Sequence, residues 1–152
     1  MGMTELEVKQ YCESIKILTE KRNKKQEQIE ELRSVATNCV VSMDKDPVQT
    51  SGSGDKMANL VTRMIDLIVE VGECDEIIER RIEFLKMVGQ ELSKIRHQTY
   101  LRLRYIEQNS FYDTVVRMDL SDSTARRIDK RMISELTKII NDRTTISSRK
   151  SN

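Results

Sequence analysis

Apolar positions recur at alternating steps of three and four residues over two long stretches. The first runs from about Thr4 to Ala36 through Val8, Tyr11, Ile15, Leu18, Ile29, Leu32 and Ala36. That spacing is a coiled-coil seam and predicts a helix. Thr4 followed by Glu7 has the pattern of a capping box at its start. Arg22 and Lys25 interrupt the stripe, and their stems can lie along the seam with the charges outside. The second stretch runs from about Asp55 to Arg96 through Met57, Leu60, Met64, Leu67, Val71, Cys74, Ile78, Leu85, Val88, Leu92 and Ile95, with Arg81 as the polar entry. Ile65, Ile68, Ile77 and Ile82 widen this stripe, so the second helix can meet more than one neighbour. Residues 37–56 lose the period, contain Pro47 and end in the run Thr50-Ser51-Gly52-Ser53-Gly54-Asp55-Lys56. That composition predicts a flexible connector. Two seams joined this way predict an antiparallel coiled-coil hairpin with arms of roughly 50 and 60 Å.

The last third is patterned differently. A short helix is predicted from Thr99 to Gln108, with Leu103 and Ile106 inward and Asn109 as its breaker. Ser110 and Asp113 have capping-box spacing and open a second short helix that ends at Arg117. Met118-Asp119-Leu120 is a tight turn, and Ser121 is a good N-cap for a final helix from about Asp122 to Asn141. On that helix Ala125, Ile128, Met132 and Leu136 share one face, while Ser123, Arg126, Arg127, Lys130 and Arg131 lie elsewhere. The expected fold is therefore all-α: a long antiparallel coiled-coil hairpin followed by a C-terminal helix-turn-helix. The expected domains are 1–96 for the hairpin, 97–141 for the helix-turn-helix, and 142–152 for a flexible, basic, Ser-rich tail.

Charge sharpens this division. Residues 1–93 carry 13 Lys/Arg against 18 Asp/Glu, a net of −5, whereas residues 94–152 carry 13 against 7, a net of +6. A basic last part is suited to a polyanion. Arg can bond guanine bidentately in the major groove, and further cations can hold phosphates.

Other chemistry finds little foothold. Cys12, Cys39 and Cys74 are far apart, and the single His97 does not complete a common zinc site. Cys12 and Cys74 fall on apolar stripes and are expected to pack as small hydrophobes. The Gly/Ser run lacks the spacing and the strand–helix context of a phosphate-cradling loop. Glu73, Asp75, Glu76 and Glu79 read as a solvated face, and His97 as a junction residue. No nucleophile–His–acid set is present. The chain is expected to be a non-enzyme without cofactor or metal. Without an apolar segment that enters a membrane, it is expected in the cytoplasm.

The segments Leu101-Arg102-Leu103-Arg104-Tyr105-Ile106-Glu107, Ser110-Phe111, Leu120-Ser121 and Ser123-Thr124-Ala125-Arg126-Arg127-Ile128 resemble region four of sigma-70-like factors. They are most similar to the small ArpU and RinA type late regulators of Gram-positive phages, over about forty residues from Leu101 to about Leu136. In that family a Leu-Arg-Tyr-Ile-Glu segment leads into the helix-turn-helix, and Ser121, Thr124, Arg127 and Ile128 match the opening of its recognition helix. The chain departs from the family at Gln108, where Gly is usual, at Asn109 in place of Leu, and at Thr114-Val115 in place of Ile-Ala. Ala125 stands for the usual Val.

The resemblance implies a phage or prophage transcriptional regulator that binds double-stranded DNA in the host bacterial cytoplasm. Phe111, Val115, Leu120, Ala125 and Ile128 would hold the motif together. Ser123, Arg126, Arg127 and Lys130 would contact bases or phosphates, Arg131 the backbone, and Thr124 a phosphate at the helix N-terminus. Arg102 and Arg104 would touch flanking backbone. The coiled coil would space two motifs in a homo-oligomer or meet host RNA polymerase. The competing reading is a coiled-coil interaction module, such as an inhibitor of a host complex, or a small DNA-packaging subunit.

Overall fold

Helix α1 (Glu5–Lys45) begins where the sequence places a cap. The Thr4 N–H donates to Glu7 Oε2 at 2.9 Å and the Glu7 N–H donates to Thr4 Oγ1 at 3.2 Å, so both orphan donors of the box are satisfied. The computed structural model describes residues 2–45 and 52–150, with side chains described for 2–39 and 54–150. After α1 come α2 (Gly52–Gly89), α3 (Ile95–Leu101) with a π-helical extension over Arg102–Ile106, α4 (Phe111–Arg117) and α5 (Asp122–Lys150). All regular structure among the described residues is helical.

The chain falls into two compact units. Leu18–Ile78 forms one, in which α1 and α2 pack antiparallel. Arg22 Nε pairs with Asp75 Oδ1 at 2.9 Å and Lys25 Nζ with Glu70 Oε2 at 2.7 Å. Ile29, Leu67 and Val71 form a buried cluster against Leu32. The two cations that interrupt the seam therefore bridge to α2 with their charges outward. These half-exposed pairs set register more than they add stability.

The other unit comprises Met1–Ile17 and Glu79–Asn152. Here Tyr11 meets Phe84 edge-on with ring centroids 5.7 Å apart, and the Arg81 guanidinium lies 5.1 Å from the Tyr11 ring centre while donating to Ser14 Oγ. Val8, Cys12 and Ile15 of α1 are buried together with Leu85, Val88 and Leu92. Cys12 and Cys74 are buried as their places on the stripes imply. Burial, helped by Asp129 and Glu13, pushes the Cys12 thiol up to about 12, so it stays an unreactive hydrophobe. The N-terminal segment is tied to α5 by the Met3 N–H donating to Asn141 Oδ1 at 2.8 Å and Asn141 Nδ2 donating to the Met3 carbonyl at 3.0 Å.

Several expected boundaries are corrected. The helix expected to stop at Ala36 continues to Lys45, and α2 already begins at Gly52. The connector of 37–56 is thus helical on both sides, and its middle, with Pro47, lies outside the described residues. The helix expected to reach Arg96 ends at Gly89. There a Cβ would lie 2.6 Å from Leu101 Cδ2, so α3 folds back so closely over Gly89 that any side chain there requires Leu101 to shift. Ile95, assigned to the seam, is consequently 80% exposed. The expected tail of 142–152 continues α5 to Lys150, with Arg143 Nε paired to Glu91 Oε2 at 2.9 Å.

Gly72 within α2 and Gly89 at its end should respond in opposite ways to alanine. Nothing lies within 4 Å of a Cβ at Gly72. Gly72→Ala should therefore raise the unfolding free energy by about 0.5–1 kcal/mol through helix propensity. Gly89→Ala should lower it by about 1–3 kcal/mol, because it overpacks the buried Leu101 contact. Urea unfolding followed by circular dichroism measures both, and a stabilised Gly89 variant would contradict the close approach.

Candidate nucleic-acid interface

The segment from α3 to the start of α5 positions the basic residues singled out in the sequence. Over Arg102–Ile106 the helix loosens by one residue per turn, marked by the Glu107 N–H donating to the Arg102 carbonyl at 2.8 Å. The turn that follows is closed by Asn109, whose N–H and Nδ2 both donate to the Leu103 carbonyl at 3.1 and 2.8 Å. Gln108 sits at φ 63°, the left-handed region that favours glycine.

Ser110 caps α4, its Oγ accepting from the Asp113 N–H at 3.1 Å. Thr114 places a polar group in the core, and it is fully buried. Its hydroxyl donates to the Ser110 carbonyl at 2.8 Å, which removes the cost of that burial. At the end of α4 the Leu120 N–H donates to the Val115 carbonyl at 3.0 Å and the Asp119 N–H to the Val116 carbonyl at 3.2 Å, with Asp119 at φ 53°. This paired closure is a Schellman turn. Ser121 then caps α5, accepting from the Thr124 N–H at 3.2 Å and donating to Thr124 Oγ1 at 2.8 Å.

One partly buried network fixes how α5 is rotated. The Tyr105 hydroxyl donates to Asp129 Oδ1 at 2.5 Å, and Lys9 Nζ lies 3.5 Å from Asp129 Oδ2. Burial and that hydrogen bond raise the Tyr105 pKa far above the ordinary phenol value, so the group is a fixed donor. Tyr100 stands edge-on to Tyr105 with centroids 6.2 Å apart, and burial raises its pKa as well. With Asp129, Ala125, Ile128 and Met132 turned inward, Ser123, Arg126, Arg127, Lys130 and Arg131 are exposed and Thr124 is half-buried. Arg126 lies over the Phe111 ring at 5.0 Å, which ties α5 to α4.

The structure also brings to this surface basic residues that lie outside the candidate site read from the sequence. A cavity of about 110 Å³ is lined by Lys94, Arg96 and His97 together with Thr124, Arg127 and Arg131 of α5. Arg96 also lines an adjoining open hollow with Arg102 and Arg117. Among the described residues, no ion pair involves Lys94, Arg96, Arg117, Arg127, Lys130 or Arg131. The sequence pattern puts Lys94 and Arg96 in the coiled coil, because Leu92 and Ile95 prolong its apolar spacing past Gly89, where the helix ends. Arg102 and Arg104 are more engaged. Arg102 pairs with Glu107, while Arg104 donates to the Asn109 carbonyl at 3.0 Å and lies 5.4 Å from the Tyr105 ring centre. Arg104 thus braces the turn, and its guanidinium is less free for a ligand than those on α5.

Fold and site together define an all-helical protein with an unpaired cationic surface around the first turns of its last helix. The chain belongs to the family described as "Protein of unknown function (DUF1492)", whose profile matches residues 42–137 and so takes in both α2 and the cationic part of α5. No curated protein and no solved structure matches the chain. Among the described residues, no helix is long and apolar enough to cross a membrane, and no group of three His, Cys, Asp or Glu is placed to hold a metal ion.

If the Tyr105–Asp129 bond orients α5, Tyr105→Phe should lower the unfolding free energy by about 1–3 kcal/mol, since a carboxylate oxygen loses its donor. Thermal unfolding at neutral pH measures this, and an unchanged midpoint would remove the bond from the account.

Proposed function

We propose that the protein is a phage or prophage transcriptional regulator that binds duplex DNA through α4, the following turn and α5, acting as a sigma region-four-like helix-turn-helix. The observation that carries the reading is the cluster of Arg126, Arg127, Lys130 and Arg131 on the exposed face of α5, three of them without ring or carboxylate partners. Support comes from the seven-residue α4, the Schellman turn at Asp119 and the Ser121 cap, which together make a short helix, a tight turn and a longer helix. Lys94, Arg96 and Arg117 widen the same positive surface, as a phosphate backbone requires. On this reading Ser123, Arg127 and Lys130 face bases or nearby phosphates. Late-gene control, contact with host RNA polymerase and action as a homo-oligomer in the host cytoplasm belong to the same proposal.

A second reading, a protein-interaction module, is favoured by one feature. Val61, Ile65, Ile68 and Val69 form an exposed apolar row on α2, each between 43% and 55% exposed. Rows of this kind mark helix-packing surfaces.

Retention of sheared DNA from the source genome on the purified protein, sequenced across a salt series, separates the two. A discrete site is expected for the native chain. An alanine variant at Arg126, Arg127, Lys130 and Arg131 should lose it, and Arg127→Ala alone should weaken binding by about 1–3 kcal/mol if that side chain reads a base. Uniform, salt-sensitive retention would reduce the claim to a basic surface. Absence of retention at low salt would leave the interaction module as the reading.

A further inference from the structure

We infer that the cavity between the start of α3 and the outer flank of α5 is a phosphate-binding site. Its walls carry four cationic side chains, Lys94, Arg96, Arg127 and Arg131, and no carboxylate. Its volume of about 110 Å³ lies well below the roughly 300 Å³ at which sites for organic ligands begin. The occupant is therefore a small anion or one projecting group of a larger molecule. Four cationic side chains lining so small a space repel one another, and an anion placed among them relieves that repulsion. Guanidinium forks are matched to phosphate oxygens. Thr124 adds a hydroxyl whose oxygen already accepts from Ser121, which leaves its own O–H to donate to a further acceptor.

A second, independent feature lies in the same wall. His97 is buried, and its Nδ1 has no hydrogen-bond partner. Charged groups reach it from both packed elements: Lys94 and Arg96 from its own segment, Arg131 and Glu135 from α5, with Glu135 Oε2 at 3.8 Å from Nδ1. Burial first, and then the neighbouring cations, hold the imidazole below its ordinary value of 6.5, against the pull of Glu135. Burial and the cavity's cations thus favour neutral His97. An anion added to the cavity opposes the cations and favours the imidazolium, so binding should raise the His97 pKa. By linkage, affinity for the anion should then increase as pH falls through the imidazole range.

Under the function proposed above, the group held is a backbone phosphodiester of duplex DNA; a free phosphate offers the same oxygens. His97 is the only histidine in the chain, so its ring resonances report the cavity without ambiguity. The test follows the His97 pKa by NMR on the full chain, alone, with inorganic phosphate, and with a short duplex of unrelated sequence whose binding is measured separately by fluorescence anisotropy. The duplex is expected to raise the His97 pKa. An Arg127→Ala/Arg131→Ala variant should lose most of that rise, and Lys138→Ala should keep it. A rise with duplex but not with phosphate supports the site and identifies the backbone as its source. A rise with phosphate but not with duplex supports the site and assigns it to a free phosphate. An unmoved His97 while the duplex binds overturns the site and leaves the DNA-binding reading standing. An unmoved His97 without duplex binding overturns both.

Discussion

The hydrogen bond from the Tyr105 hydroxyl to Asp129 sets the orientation on which the basic face depends. Asp129 is the acidic residue in the most basic stretch of α5. Turned outward, it would neutralise Arg126 or Lys130 beside it. Turned inward, it needs partners, because an unpaired carboxylate in the core is costly. Tyr105 and Lys9 supply them, one from the π-helical segment and one from α1. The loosened turn at Arg102–Ile106 belongs to the same arrangement, since the register of Tyr105 is set by that segment. Acid inward and base outward on one helix therefore follow from a single, partly buried network.

The remaining anchors of α5 consume acidic groups in the same way. Glu135 accepts from the Ser93 N–H at 2.7 Å, and Glu91 pairs with Arg143. Glu135, the carboxylate beside His97, is thereby committed to structure, and Lys94, Arg96, Arg127 and Arg131 are left without ion pairs among the described residues. That separation of charge distinguishes the surface from an ordinary solvated face, in which opposite charges alternate along the helix.

Much of the architecture was legible as period and caps. The seam residues Val8, Ile15, Ile29, Leu67, Val71 and Leu85 are buried as their spacing implies, and the caps at Thr4, Ser110 and Ser121 are made. Helix ends were less legible, for two physical reasons. Apolar spacing persists through Leu92 and Ile95, beyond the point where Gly89 lets α3 fold back, so the period outlasts the helix. Residues 37–45 carry no strong stop signal before Pro47, and a loss of amphipathic period is not a loss of helix. The first error hid Lys94 and Arg96 from the candidate site. Arg117 was missed because it reads as the end of a short helix, and only the fold shows that it shares a hollow with Arg96 and Arg102. The αL positions Gln108 and Asp119 also carry little sequence signal, because neither is glycine.

Hydrogen exchange of the full chain, with and without bound duplex DNA, addresses the central claim most directly, because it reports where along the chain contact is made. Slowed exchange is expected around residues 94–97 and over the first turns of α5, with Leu18–Ile78 unchanged. Slowing confined to Leu18–Ile78, or no change anywhere at low salt, would contradict the account.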